Sequence, residues 1–372
     1  MSRMGDLIDD DVIESFLSGG GGGELHTVQD VFRLAVTEFS KADLVFGQGT
    51  VDALDEAHLL MLLELKLPLC NTAELLSKWG SARLTSVEVA SLRKLIRRRV
   101  VDKVPVAYLC KGCYFQGEQL YVDSRALIPR SHIGELLNPV SKHCLFPPPR
   151  GGKQQQRLTR PRLSRVRSVL DLCTGSGALA ISAHRLFHQA QQAEGEEGEE
   201  GEEGEGERLV VHASDVSGDA LAVASINLES KGLSHSITLF QGDLFDALPP
   251  APSSSPALYD VILCNPPYVD AAAMRRRPKE YRHEPTLALD GGEKGIDIVR
   301  RVLDGAAGRL TEQGLLVMEV GAAGKHVNAA MARAAAPASG ARPAFWARTS
   351  NSSREVCVMG REAAESVARL LR

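Results

Sequence analysis

The sequence predicts an α/β fold: a seven-stranded, mostly parallel sheet with helices on both faces, preceded by a small helical domain and a β-hairpin linker. Three observations predict it. From about residue 126 onward, short apolar runs alternate with helical patterns, the signature of repeated βαβ units. Polar acceptors recur at the ends of four successive runs: Asp171, Asp215, Asp243 and Asn265. Residues 24–104 instead show apolar stripes at helical spacing.

Residues 1–23 are acidic and Gly-rich (Asp6, Asp9, Asp10, Asp11, Glu14, Gly19 to Gly23) and read as a disordered tail, unlike a signal or transit peptide. Residues 24–104 form the helical domain. Thr27-Val28-Gln29-Asp30 has capping-box spacing ahead of an apolar stripe from Val28 to Phe39. A second helix is expected over Leu54 to Leu67, and a third from Thr85 to Arg97-Arg98-Arg99, whose cations complement the helix dipole. Residues 105–125 read as the hairpin linker, with strands at Val106–Leu109, Tyr114-Phe115 and Gln119–Val122 and turns at Gly112 and Gly117. Residues 126–372 hold the sheet, with strands at 167–172, 209–214, 237–240, 259–264, 314–320, 343–348 and 355–359. The closeness of the last two predicts an antiparallel hairpin at the sheet edge.

The chain has 372 residues, 44% hydrophobic and 24% charged, ordinary for a soluble protein. It has no apolar run of about 18 residues, so no membrane span is expected. Seven scattered Cys argue for a reducing compartment, the cytoplasm or an organellar matrix. Cys110-Lys111-Gly112-Cys113, with His143 and Cys144 further on, has no matching second pair; it reads as a turn, and no metal is expected. Nine Glu and no Lys or Arg lie between Glu194 and Glu207, so removing them shifts the net charge from −4 to +5. Arg150 to Arg167 carries seven Lys or Arg and no acid. Both read as solvated insertions, with docking on RNA or a ribonucleoprotein as the sharper reading of the basic one.

The site is expected at the carboxyl ends of the strands, where open α/β sheets bind ligands. Ser168–Leu172 runs into Cys173-Thr174-Gly175-Ser176-Gly177, a turn whose glycines admit a ligand close to the backbone. Asp215 ends the next strand. An acid there accepts from ribose hydroxyls about 20 residues after the Gly turn, or serves as a helix cap. The gap from Gly177 is 38 residues, but excising 191–208 as an insertion restores the usual distance. Asp243-Leu244 follows the third strand, suited to an adenine amine and ring. Asn265-Pro266-Pro267-Tyr268 follows the fourth. Prolines cannot continue a central strand, and the tetrapeptide offers a side-chain carbonyl, a rigid backbone carbonyl and an aromatic face, suited to a planar group bearing NH2. The G-x-G-x-x-G pattern is absent, which disfavours a nicotinamide cofactor.

With these residues, the second domain resembles the Rossmann-like class I S-adenosylmethionine-dependent methyltransferases of the Asn-Pro-Pro-Tyr group. Leu25–Asp30, Phe46–Thr50, Pro105–Leu109, Ile128–Leu136 and Glu280–Pro285 narrow the resemblance to the protein glutamine methyltransferases. The Arg130-Ser131-x-Ile133-Gly134-Glu135 and Tyr281-Arg282-His283-Glu284-Pro285 forms point to the branch acting on large-subunit ribosomal protein three. The resemblance covers about residues 24–360, apart from insertions at 146–166, 191–208 and 249–257. Cys173 replaces a usual Gly, Gln48 stands where His is frequent, and Lys294 where Asp commonly precedes Gly295.

The resemblance implies cofactor contacts from Asp171, Cys173, Thr174, Gly175, Gly177, Asp215, Asp243, Leu244 and Asn265. It implies that Asn265 Oδ1 and the Pro266 carbonyl accept the two amide hydrogens while Tyr268 packs over the amide plane; Pro267 completes the substrate contact. The expected partner is ribosomal protein three, alone or in assembly intermediates, with no sequence-specific nucleic acid. Other readings are glutamine methylation of release factors, nucleic-acid amine methylation and a non-catalytic assembly factor.

Overall fold

The computed structural model describes residues 25–138, 163–195, 209–248, 258–334, 344–347 and 356–371. They fall into two compact units, 1–113 with 278–283 and 114–277 with 284–372. The insertion at 249–257 and most of those at 146–166 and 191–208 lie outside the described residues, as do His143 and Cys144.

The first unit contains α1 (Val28–Lys41), α2 (Ala53–Glu64), α3 (Thr72–Trp79), α4 (Ser86–Val101) and the single-turn α5 (Val106–Leu109). Its helix starts are set locally. Thr27, Asn71 and Thr85 each accept from the backbone N–H three residues on, and Asp30, Glu74 and Glu88 return the bond, so two orphan donors are satisfied at each end.

Residues 106–109 are helical rather than extended. Pro105 presets the backbone just ahead of the turn, and the buried Glu56 carboxylate accepts from Val106 N at 3.2 Å. Lys111 sits at φ 51° and Gly112 N donates to the Ala107 carbonyl, so Lys111-Gly112 closes α5 and is not the hairpin turn. That turn is Gln116-Gly117, with φ 50° and 80°, between β1 (Cys113–Phe115) and β2 (Glu118–Leu120).

Residues 278–283 join the first unit although the sequence places them deep in the second. Glu280 is one anchor, and His283 Nε2 at 2.9 Å from the Asp102 carbonyl is another. Glu280 lies 3.6 Å from Arg99 Nη1 and accepts from Val45 N at 3.1 Å. Arg99 is fully buried and also meets Glu56 at 2.9 Å.

The second unit continues with α6 (Ile133–Leu136), β3 (Ser168–Leu172), α7 (Ala178–Gly195), β4 (Val210–Asp215), α8 (Gly218–Ser230), β5 (Ile237–Gln241) and β6 (Tyr259–Cys264). Then come α9 (Ala271–Arg276), α10 (Asp297–Ala306), β7 (Leu310–Glu319), α11 (Gly324–Arg333), β8 (Phe345–Trp346), β9 (Val356–Gly360) and α12 (Arg361–Leu371). The sheet order is β5-β4-β3-β6-β7-β9-β8. β5 to β7 run parallel, β9 is antiparallel to β7, and β8 pairs with β9 as the expected edge hairpin.

β6 is buried throughout Val261–Cys264, as a central parallel strand covered on both faces must be. The chain leaves β3 toward β4 on one side and reaches β6 on the other. The strand ends Leu172, Ser214 and Cys264 lie in register, and the crevice above such a switch point is where these sheets bind ligands. α7 runs on to Gly195, and Gln191 Nε2 donates to the Val166 carbonyl at 2.7 Å. The sequence assigns both residues to insertions, whereas in the structure they bond to each other just ahead of β3. Among the described residues no helix is long and apolar enough to cross a membrane.

Candidate active site

The turn after β3 is organised by Asp171. Its Oδ2 accepts from Thr174 Oγ1 at 2.6 Å and from Ala180 N at 3.0 Å, fastening the strand end to the start of α7. Thr174 N donates to the Ser214 carbonyl at 3.0 Å, tying the turn to the end of β4. Complete burial pushes the Asp171 carboxyl up to about 7 against these hydrogen bonds. Its Oδ1 is buried with no hydrogen-bond partner.

Asp215 is fixed from two turns: Oδ2 accepts from Gly175 N and Oδ1 from Ser217 N, both at 2.9 Å. Burial raises its pKa as well. Cys173 keeps the turn but at φ 57°, a left-handed conformation that costs a non-Gly residue roughly 1–2 kcal/mol. Gly175 has the same φ and no atom within 4 Å of where a Cβ would stand. The floor of the turn is therefore open.

Beyond β6 the backbone of the Asn-Pro-Pro-Tyr segment is closely hemmed. A Cβ on Gly295 would come within 2.3 Å of the Tyr268 carbonyl, and one on Gly291 within 2.7 Å of Tyr268 Cα. A Cβ on Gly321 would stand 2.3 Å from Tyr268 Cε2, so that glycine seats the ring. Tyr268 Oη donates to Glu319 Oε1 at 2.8 Å. Glu319 Oε2 accepts from Ser131 Oγ at 2.7 Å and from His132 N at 2.9 Å. Arg130 donates to Glu284 through both terminal guanidinium nitrogens, the Nη2–Oε2 distance being 2.9 Å. Asn265 Oδ1 is buried and has no hydrogen-bond partner. Leaving a buried carbonyl unpaired costs about 1–3 kcal/mol, so this atom is an acceptor held ready.

A cleft of about 800 Å³, its open mouth included, gathers Cys173, Thr174, Gly175, Asp215, Asn265 and Pro267 with Arg130 and Ser131. The other residues singled out by sequence stand behind or beside it. Asp171 and Gly177 lie under the turn, Pro266 is buried, and Tyr268 is partly buried against the core. Asp243 is half exposed and paired with Arg301 at 2.7 Å, and Leu244 is packed in the core at φ 50°. Sequence reasoning missed Glu319. The rule that picked Asp171 and Asp215, an acid at a strand's carboxyl end, applies equally to the last residue of β7.

Cys110 and Cys113 are free, and burial pushes both thiols up to about 12. Among the described residues no group of three His, Cys, Asp or Glu is placed to hold a metal.

The sheet order, the antiparallel edge and the cleft at the switch point define a class I methyltransferase of Rossmann-like build. A family model described as an RMKL-like methyltransferase domain matches residues 158–284. The chain is 42% identical over 305 residues to the ribosomal protein uL3 glutamine methyltransferase of Burkholderia pseudomallei, covering 82% of this chain and 87% of that protein. It is 39% identical over 339 residues to the protein of the same name from Bordetella pertussis, covering 91% and 96%. The chain belongs to this family of glutamine methyltransferases.

Proposed function

We propose that this protein transfers a methyl group from S-adenosylmethionine to the side-chain amide nitrogen of a glutamine in ribosomal protein uL3. The carrying observation is the buried, unpartnered Oδ1 of Asn265 on the cleft. The names of the relatives support the choice of uL3, met free or in assembly intermediates of the large subunit.

The residues fit the cofactor. Open space over Gly175 admits a ligand against the backbone. The carboxylate oxygens of Asp215 accept from backbone N–H groups, Gly175 N and Ser217 N among them, and two oxygens leave acceptor capacity for ribose hydroxyls. When bound, S-adenosylmethionine supplies an electrophilic methyl group on a sulfonium sulfur. The rest is done by this chain. The lone pair of an amide nitrogen is shared with its carbonyl, the resonance behind the roughly 18–20 kcal/mol rotation barrier of peptides. Asn265 Oδ1 and the Pro266 carbonyl accept one amide hydrogen each and aim the nitrogen. They also stabilise the positive charge that grows on it in the transition state. The acceptors cost no reorganisation, because the prolines and the glycines against Tyr268 fix the backbone. The nitrogen's proton becomes acidic only once the new N–C bond forms, and it leaves to water.

The test is mass spectrometry after incubation with isotopically labelled S-adenosylmethionine, uL3 and a peptide release factor. One methyl group is expected on a uL3 glutamine, absent with Asn265→Ala although that variant still binds S-adenosylmethionine. Label confined to a release-factor glutamine overturns the substrate, and full turnover by Asn265→Ala overturns the site.

A further inference from the structure

We infer that Glu319 is a positioning residue: its carboxylate fastens Tyr268 to the Ser131–His132 segment and so sets the spacing between the two walls that would hold the acceptor amide. The inference rests on the reading of the site proposed above. One wall is the segment containing Arg130 and Ser131, and the other contains Asn265 and Pro267; all four line the cleft. They belong to segments more than a hundred residues apart in sequence. Glu319, 3% exposed at the end of β7, bonds to both: Ser131 Oγ and His132 N reach Oε2, and Tyr268 Oη reaches Oε1.

The chemistry asks for a carboxylate rather than an amide. An ionised carboxylate only accepts, and three donors converge on it here. His132 N–H cannot reverse its polarity. A glutamine would have to turn its oxygen toward that N–H, which leaves its NH2 group against Tyr268 Oη. The phenol would then have to become the acceptor. Tyr268 cannot adjust by sliding, because Gly321 lies under its ring and Gly291 and Gly295 lie against its backbone. A fault at Oη is therefore passed along the chain to Asn265, three residues away.

The test uses the full chain with S-adenosylmethionine and uL3, comparing wild type, Glu319→Gln, Tyr268→Phe, the double variant and Asn265→Ala. Turnover is measured together with calorimetric affinity for S-adenosylmethionine. Glu319→Gln and Tyr268→Phe should each lower kcat by roughly 10- to 100-fold, the scale of a misplaced acceptor. Cofactor affinity should stay within about twofold. The double variant should be no worse than the poorer single, since both cut one link.

Glu319→Gln turnover within about twofold of wild type overturns the inference, as do losses that multiply in the double variant or cofactor affinity falling in step with turnover. If Asn265→Ala is inactive while Glu319→Gln is fully active, the clamp alone fails; an active Asn265→Ala overturns the underlying site. Should Glu319→Gln not fold, Tyr268→Phe, which removes only a hydroxyl, decides by the same measurements, and unchanged turnover overturns the clamp.

Discussion

Asp171 Oδ2 and Thr174 Oγ1, both on buried residues, are 2.6 Å apart where β3 gives way to the turn. The bond joins the sheet to the cleft, and the burial of Asp171 makes stability there depend on pH. Burial raises the Asp171 pKa from 3.8 to about 7, so the folded protein holds this proton more tightly than the unfolded chain does. The stabilisation is complete below about pH 4 and is lost as pH rises through about 7. Asp171→Asn keeps an oxygen for Thr174 and Ala180 and does not titrate. Urea unfolding of both proteins at pH 5 and pH 8 should therefore show wild type losing ground to the variant on going to pH 8, by roughly 2–3 kcal/mol. A stability difference that does not change with pH would refute the assignment.

The left-handed backbone at Cys173 predicts an unusual tolerance. Cys173→Gly relieves roughly 1–2 kcal/mol of strain and returns about 0.4–1 kcal/mol through the freer unfolded chain. It also loses the packing of a small side chain against the core. The sum should lie within about 1 kcal/mol of wild type, with the fold intact. Cys173→Val adds a β-branched side chain at φ 57°, which should cost about 2 kcal/mol or more. Chemical denaturation of the pair measures both. Equal stability of the Val and Gly variants would show that the turn is not held as described.

What sequence could and could not reveal follows from how far each determinant reaches. The central strands were legible because double burial writes continuous apolar runs, and Asp171, Asp215 and Asn265 because their place depends only on where a strand stops. α3 is legible too, in the Asn71-x-x-Glu74 capping box. Val106–Leu109 misled because its residues favour strands, while its helical turn depends on Glu56, 50 residues away. The setting of Tyr268 is invisible for the same reason: Glu319 and Gly321, more than 50 residues on, hold its hydroxyl and its ring.

The Arg97-Arg98-Arg99 run divides by environment, and Arg99 carries the sharpest stability prediction. Arg98 lies 3.7 Å from Asp102 at the surface, a pair worth little. Arg99 is fully buried between Glu56 and Glu280, both also buried. Arg99→Met preserves volume but strands two carboxylates in the interior, and should destabilise the first unit by about 3–5 kcal/mol. Neutralising them should restore most of the loss. Glu56→Gln and Glu280→Gln keep oxygens for Val106 N and Val45 N, so the triple variant should melt well above Arg99→Met alone. Thermal melts followed by circular dichroism distinguish the cases. If the triple variant is no more stable than Arg99→Met, the cost lies in lost packing around the guanidinium, and the stranded carboxylates are not its source.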